Sequence, residues 1–274
     1  MASSVVIRAQ LTGGDADRHQ IPAYDGFTSL AGLGLTLSLT ANYIETGKIR
    51  RRGDFAGRHS VKATPIEEGS VLTDFLVSIP RISLPFARKL SDAASSEFVA
   101  DLVKGVIDRN LGVESEPTTD ELSSLLEHKD GDFEALVAAT EPSLKQAHTI
   151  IGEGAQVMNL FGSKHQLGQL NQQSKKYIHG TVEDPEIYNK DVSVASFNVN
   201  SGYGGVYDPD LRRVVSIKVT PTTMPQAKSV LGWGLNEYAN GTGKRVHLQY
   251  YRWMTLDDRP KKYIVIDAKI PKDD

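Results

Sequence analysis

The chain has 274 residues, 39% of them hydrophobic and 24% charged, a balance that excludes a disordered polypeptide and at this length predicts two or three domains. With no cysteine it can hold no disulfide, thiolate zinc site, iron–sulfur cluster or cysteine nucleophile, which fits a reducing, cytoplasmic compartment. Its 31 basic and 34 acidic residues give a formal net charge of −3, so no global basic field points to nucleic acid.

The first segment, residues 1–80, opens with a strand over 5–11 closed by Gly13, Gly14 and Asp15. Neither a secretory signal nor a transit peptide is legible before it. After Pro22, Leu33, Leu35, Leu37 and Leu39 alternate as a strand would, while Phe27, Leu30, Gly34, Leu37, Ala41 and Ile44 recur at helical spacing. The longer pattern ends at Gly47, a residue suited to the left-handed turn beyond a helix, so a helix is predicted. Its most apolar part, residues 30–39, is broken by Gly32, Gly34, Thr36 and Ser38 and is too short to span a bilayer. Strands over 48–52, 60–65 and 70–79 complete a β-α-β-β-β domain.

Residues 81–180 carry 10 basic and 14 acidic side chains and read as helical. Val99, Leu102, Val103, Val106 and Ile107 form one apolar stripe that Gly112 stops. Thr119 caps a second helix, Phe133 begins a third, and Pro142 kinks that third helix or restarts the chain. The glycine-bearing stretch 152–168 has no clear period, and 171–178 predicts a short helix.

Residues 181–274 predict strands over 192–200, 205–207, 214–220, 246–253 and 263–270, with a helix over 224–238 after the third. That order is the order of an OB-like five-stranded β-barrel, with an SH3-like barrel as the alternative. The fold class is therefore α+β: an N-terminal β-α-β-β-β domain, a helical middle and a C-terminal barrel.

Four sets of residues bear on function. Asp15, Asp17, His19 and Asp25 offer oxygen and imidazole ligands to a divalent metal, but no EF-hand or paired-histidine spacing organises them, and turn formation and capping of the next helix account for the aspartates. Arg50 and Arg52, two apart on a strand, share a face that suits phosphate or carboxylate, or that blunts a sheet edge. On the barrel, Tyr203, Tyr207, Arg212, Arg213 and Lys218 fall beside its second and third strands, where rings stack on bases and cations meet phosphates; equally, such tyrosines fill cores. Gly202, Gly204 and Gly205 read as a strand turn. Finally, Gly32 and Gly34 in a helix with apolar residues on more than one face suggest a homo-oligomer. No phosphate loop, nucleophile elbow or metal-protease spacing occurs, and no cofactor is implied.

The stretch 15–25, the leucine-rich helix after it, Thr46 with Gly47, and Glu67 to Ser70 resemble an uncharacterised family of bacterial proteins. The resemblance implies an N-terminal α+β domain of unknown function and a C-terminal five-stranded barrel, with no known catalytic residues. It also implies accessory genes of bacteria and their mobile elements, a setting of antiphage defence. The expected function is thus a non-enzymatic sensor or adaptor that engages a protein partner, a neighbouring defence component or a phage protein. The alternatives are a single-stranded nucleic-acid-binding protein and a metal-dependent hydrolase or nuclease.

Overall fold

A computed structural model describes residues 3–50, 60–64, 71–87, 90–162, 165–211, 213–256 and 258–271. The chain forms two compact units, Met1–Ser124 with Leu136–His179, and Leu125–Ala135 with Gly180–Asp274.

The first unit is an antiparallel sheet covered on one face by helices. Strand β1 (Ser3–Thr12) alternates inward Val5, Ile7, Ala9 and Leu11 with outward Arg8 and Gln10, the period-two pattern of a half-buried strand. A short 3-10 turn (Gly14–Arg18) leads to helix α1 (Ala23–Thr46), which stops where Gly47 takes φ +66° and returns its N–H to the Tyr43 carbonyl. Strands β2 (Val61–Ala63) and β3 (Val71–Ile79) follow, and β3 buries every second residue. Lys48 to Arg50 form no strand; Arg51 and Arg52, the rest of the expected strand, lie outside the described residues.

Helix α2 (Asp92–Leu111) is capped by the Ser91 hydroxyl and carries the predicted stripe inward. The second and third predicted helices follow one another as the two halves of α3 (Asp120–Ala147), capped by Thr119 and separated by a kink at Lys129, while Pro142 lies inside the second half. The middle segment is helical up to residue 147, and the stretch 152–168, which has no clear period in the sequence, contains strand. Strands β4 (Val157–Phe161) and β5 (Gln166–Leu170) extend the N-terminal sheet to the order β2-β3-β1-β4-β5, before helix α4 (Gln172–His179). Gly32 lets α1 meet the end of α3: a Cβ there would lie 2.6 Å from Ser143 O and Ala147 N. The small residue invoked for self-association is thus used inside the unit.

The second unit is a closed barrel of β6 (Val182–Phe197), β7 (Tyr203–Asp208), β8 (Arg213–Val219), β9 (Val246–Met254) and β10 (Pro260–Lys269), with helix α5 (Met224–Ala239) between β8 and β9. The closing order is β10-β8-β7-β6-β9, and only the β8–β10 pair is parallel. Closure leaves no sheet edge unpaired. Val192, Val194, Val206, Val215, Ile217, Val246, Leu248 and Val265 fill the interior, and α5 adds Ala227 and Leu231. β6 begins ten residues earlier than its sequence suggests, because polar residues 182–191 pair with β9 as a solvated ribbon. Gly204 and Gly205 lie within β7 and not in a turn; a Cβ on Gly204 would sit 2.3 Å from the Ser196 carbonyl oxygen, beside the bulge in β6. Among the described residues no helix is long and apolar enough to cross a membrane.

Candidate binding surfaces

Helix α1 buries one side and shows another. Its core side is Leu33, Leu37, Ala41 and Ile44, and its buried hydroxyls are satisfied within the fold: Thr36 and Thr40 donate one turn back, to Gly32 and Thr36 carbonyls, and Thr36 also pairs with Ser143 at 2.7 Å. The opposite side presents Tyr24, 80% exposed, Phe27, 62%, Ala31 and Leu35, at spacings of three, four and four. Large apolar side chains on the solvent side of a helix are the departure that marks an interaction surface.

Beside that stripe, α1, β2 and β3 enclose a groove of about 380 Å³ lined by Phe27, Leu30, Gly34, Val61, Thr73 and Phe75 among others. Among the described residues no titratable side chain lines it. The polar groups around it are bonded, Ser38 to the Gly34 carbonyl and Thr64 to the Asp74 carbonyl. Thr73 is different. Its position on β3 faces the core, it is 4% exposed, and its hydroxyl is the one buried side-chain polar atom among the described residues that lacks a hydrogen-bond partner. An orphaned hydroxyl costs about 1–3 kcal/mol, so the groove holds an unmet hydrogen-bonding capacity within an apolar wall.

The barrel concentrates its charge inward. Asp208, fully buried at the end of β7, accepts from Tyr263 Oη at 2.5 Å, from Lys190 Nζ at 2.9 and 3.0 Å, and from the N–H groups of Asp210 and Leu211. Burial alone would raise this carboxyl; the bonds from Tyr263, Lys190 and the two amides overcome it and hold the group below the usual carboxylate range. The Tyr263 ring stacks on Tyr250 at 4.2 Å, Tyr250 faces Tyr188 at 5.9 Å, and the Arg252 guanidinium covers Tyr188 at 3.8 Å while bonding Asp184. Every lone pair of Asp208 is engaged by donors that fix the β7–β8 turn to the barrel, an arrangement of structural support.

The residues singled out from sequence are dispersed. Asp15 pairs with Arg18, Asp17 accepts from Gly13 N–H, and His19 closes the 3-10 turn at φ 58°. Asp25 sits in the first turn of α1 but does not cap it, since the cap position is Pro22. Among the described residues no group of three histidine, aspartate or glutamate side chains is placed to hold a metal. Arg50 is exposed on no strand, so it shares no strand face with Arg52, which lies outside the described residues with Arg212; the Arg213 side chain is likewise undescribed. Tyr207 is 37% exposed, whereas Tyr203 is 6% exposed, outside the barrel core, with the Lys218 ammonium 5.8 Å from its ring.

The groove escaped the sequence reading. Two signals for it exist: Tyr24, Phe27, Ala31 and Leu35 form a second apolar stripe opposite the buried one, and Thr73 is a polar residue at an inward position of an alternating strand. Residues 7–179 match the model of the domain of unknown function DUF7946, so the chain belongs to that family, and residues 186–269 match a second family of unknown function, DUF7947. No curated protein and no solved structure matches the chain.

Proposed function

We propose that this DUF7946 member is a non-enzymatic binding protein of the sensor or adaptor kind, whose protein partner seats an apolar helix or loop in the α1–β2–β3 groove. The observation that carries the reading is the groove itself: apolar walls, no titratable side chain among the described residues that line it, and the orphaned Thr73 hydroxyl. A metabolite pocket needs several placed polar groups and enclosure. This surface has three hydroxyls, of which only that of Thr73 is unbonded, and runs on into the exposed Tyr24–Phe27–Ala31–Leu35 stripe, a shape suited to a partner's apolar side chains.

We propose further that it acts in antiphage defence, the setting that its resemblance to accessory bacterial proteins implies, with a neighbouring defence component or a phage protein as partner, and in the cytoplasm, which a chain without cysteine suits. The strand order, with a helix after the third strand and the third and fifth strands parallel, supports an OB-type barrel over an SH3-like one.

The test is quantitative co-purification of the tagged full chain and of its Ala31→Glu variant with the products of neighbouring genes. Ala31 is exposed, so the change leaves the fold intact while placing a charge on the stripe. A partner held by the wild type should be lost from Ala31→Glu and kept by Lys228→Glu on α5. Equal recovery with both variants would reject the groove. A second copy of the chain as the only occupant would show as a mass near twice 29.9 kDa that Ala31→Glu halves.

A further inference from the structure

Four side chains line up on the outside of the barrel. Tyr203 on β7 lies opposite Lys218 on β8, and Lys262 on β10 lies opposite Trp253 on β9. The Lys218 and Lys262 ammoniums are 5.8 and 5.5 Å from the centre of the Tyr203 ring, and Lys262 is also 5.6 Å from the Trp253 ring. Cations interleaved with rings at this spacing suit a ligand that carries both negative charge and flat apolar faces, the pairing found in a single nucleic-acid strand.

Yet Tyr203 is 6% and Lys262 8% exposed. The barrel's own unit also holds a stretch of α3, Leu125–Ala135. Two carboxylates of that stretch reach the barrel. Asp132 accepts from Asn198 Nδ2 at 2.6 Å, and Glu134, 2% exposed, accepts from the Ser216 hydroxyl. Ser216 is in register with Gly205 on one side and with Lys262 on the other, so Glu134 meets the middle of the cation–aromatic face.

Two backbone features adapt the stretch to this seat. Lys129 leaves helical geometry at φ −143° and ψ 33°, and Gly131 approaches so closely that a Cβ would fall 2.9 Å from Asn198 N and 3.0 Å from Phe197 C. A continuous helix with any other residue at 131 would stand off the barrel.

We infer that Leu125–Ala135 is an acidic stand-in closing the barrel's Lys–aromatic face, and that displacing it opens this face to single-stranded nucleic acid. The Glu134 carboxylate, on Ser216 beside Lys262, takes a position that a phosphate would take, and burial of Lys262 with partial burial of Lys218 reduces the cationic character this face shows to solution. This role is independent of the groove on the other unit.

The probe is a fluorescein-labelled oligothymidylate of about 12 nucleotides, read by anisotropy against the full chain. If the face is open in fewer than about one molecule in ten, opening it fully should tighten binding at least about tenfold. The wild type should bind weakly, and Asp132→Asn combined with Glu134→Gln should show that gain, with affinity falling steeply in salt. Adding Lys218→Gln should lower the salt slope by about one. Gly131→Ala, which touches no residue of the face, should loosen the stretch by itself and serves if the double variant does not fold. Hydrogen exchange over residues 125–135 reports whether the stretch has lifted. A lifted stretch with no gain in binding would overturn the inference, as would tight binding by the wild type, or unchanged protection of 125–135 in both variants.

Discussion

The two units handle polarity in opposite ways. In the sheet-and-helix unit, apolar surface is turned outward at Tyr24, Phe27 and Leu35, and among the described residues one buried hydroxyl, that of Thr73, is left unbonded. In the barrel unit, charge is buried and bonded: Asp208, Glu134 and Lys262 are all buried, and Asp208 and Glu134 accept hydrogen bonds. Folding alone rewards neither an exposed aromatic stripe nor an orphaned hydroxyl, so the first unit is built with an unfilled place, while the second is built closed. That difference is what the proposal of binding at the α1 groove rests on, and it leaves the Asp208 network as support for the barrel.

The sharpest way to break the comparison is at the closed barrel. Gly204→Ala puts a Cβ 2.3 Å from a backbone oxygen that the β6–β7 pairing holds in place, so the barrel should lose at least about 3 kcal/mol, seen as an early thermal transition. Asp208→Asn should cost slightly less, about 2–4 kcal/mol, since it leaves Lys190 without its buried counter-charge and weakens the Tyr263 bond. If chemical denaturation showed Asp208→Asn to be neutral, the network would not be the barrel's support.

These barrel features were only partly legible in the sequence. The alternation of Val215, Ile217 and Val219, the run 246–253 and the helix over 224–238 stood out because a strand or helix with one buried face repeats its apolar residues. The first ten residues of β6 did not, since a ribbon paired with β9 in solvent needs no apolar side chains. β4 and β5 were hidden for a related reason: their outward face is a polar ladder, with the Asn159 amide oxygen accepting from Gln169 and Gln166. The groove required knowing which two elements meet. Phe27 and Phe75 are 48 positions apart, and no local period relates them.

The first unit is sensitive to acid through His148. Its Nδ1–H donates to the Leu144 carbonyl at 2.7 Å and Nε2 lies 2.9 Å from the Ser174 hydroxyl, and burial, with His179 and Lys175 nearby, lowers its pKa to about 4. The unfolded chain titrates near 6.5 and therefore binds more protons between these values. Stability should be full above pH 6.5, fall as pH drops toward 4 by up to about 3 kcal/mol, and change no further from this group below that. His148→Gln should flatten that window in urea titrations; an unchanged slope would show that another group carries it.

The smallest expected effect has an unusual sign. Thr73→Val keeps the shape of the side chain and removes the orphaned hydroxyl, so the free protein should gain about 1 kcal/mol and melt a few degrees higher. A loss of stability would mean that the hydroxyl is bonded in solution, and the contrast between an unfilled and a closed unit would weaken.

The most direct measurement is hydrogen exchange of the full chain, alone and in complex with the protein that co-purifies with it. An occupied groove predicts new protection over residues 24–35 and 71–75, diminished when Thr73→Val removes the hydroxyl the partner would satisfy. Protection confined to residues 182–269, with none on α1 or β3, would contradict the account.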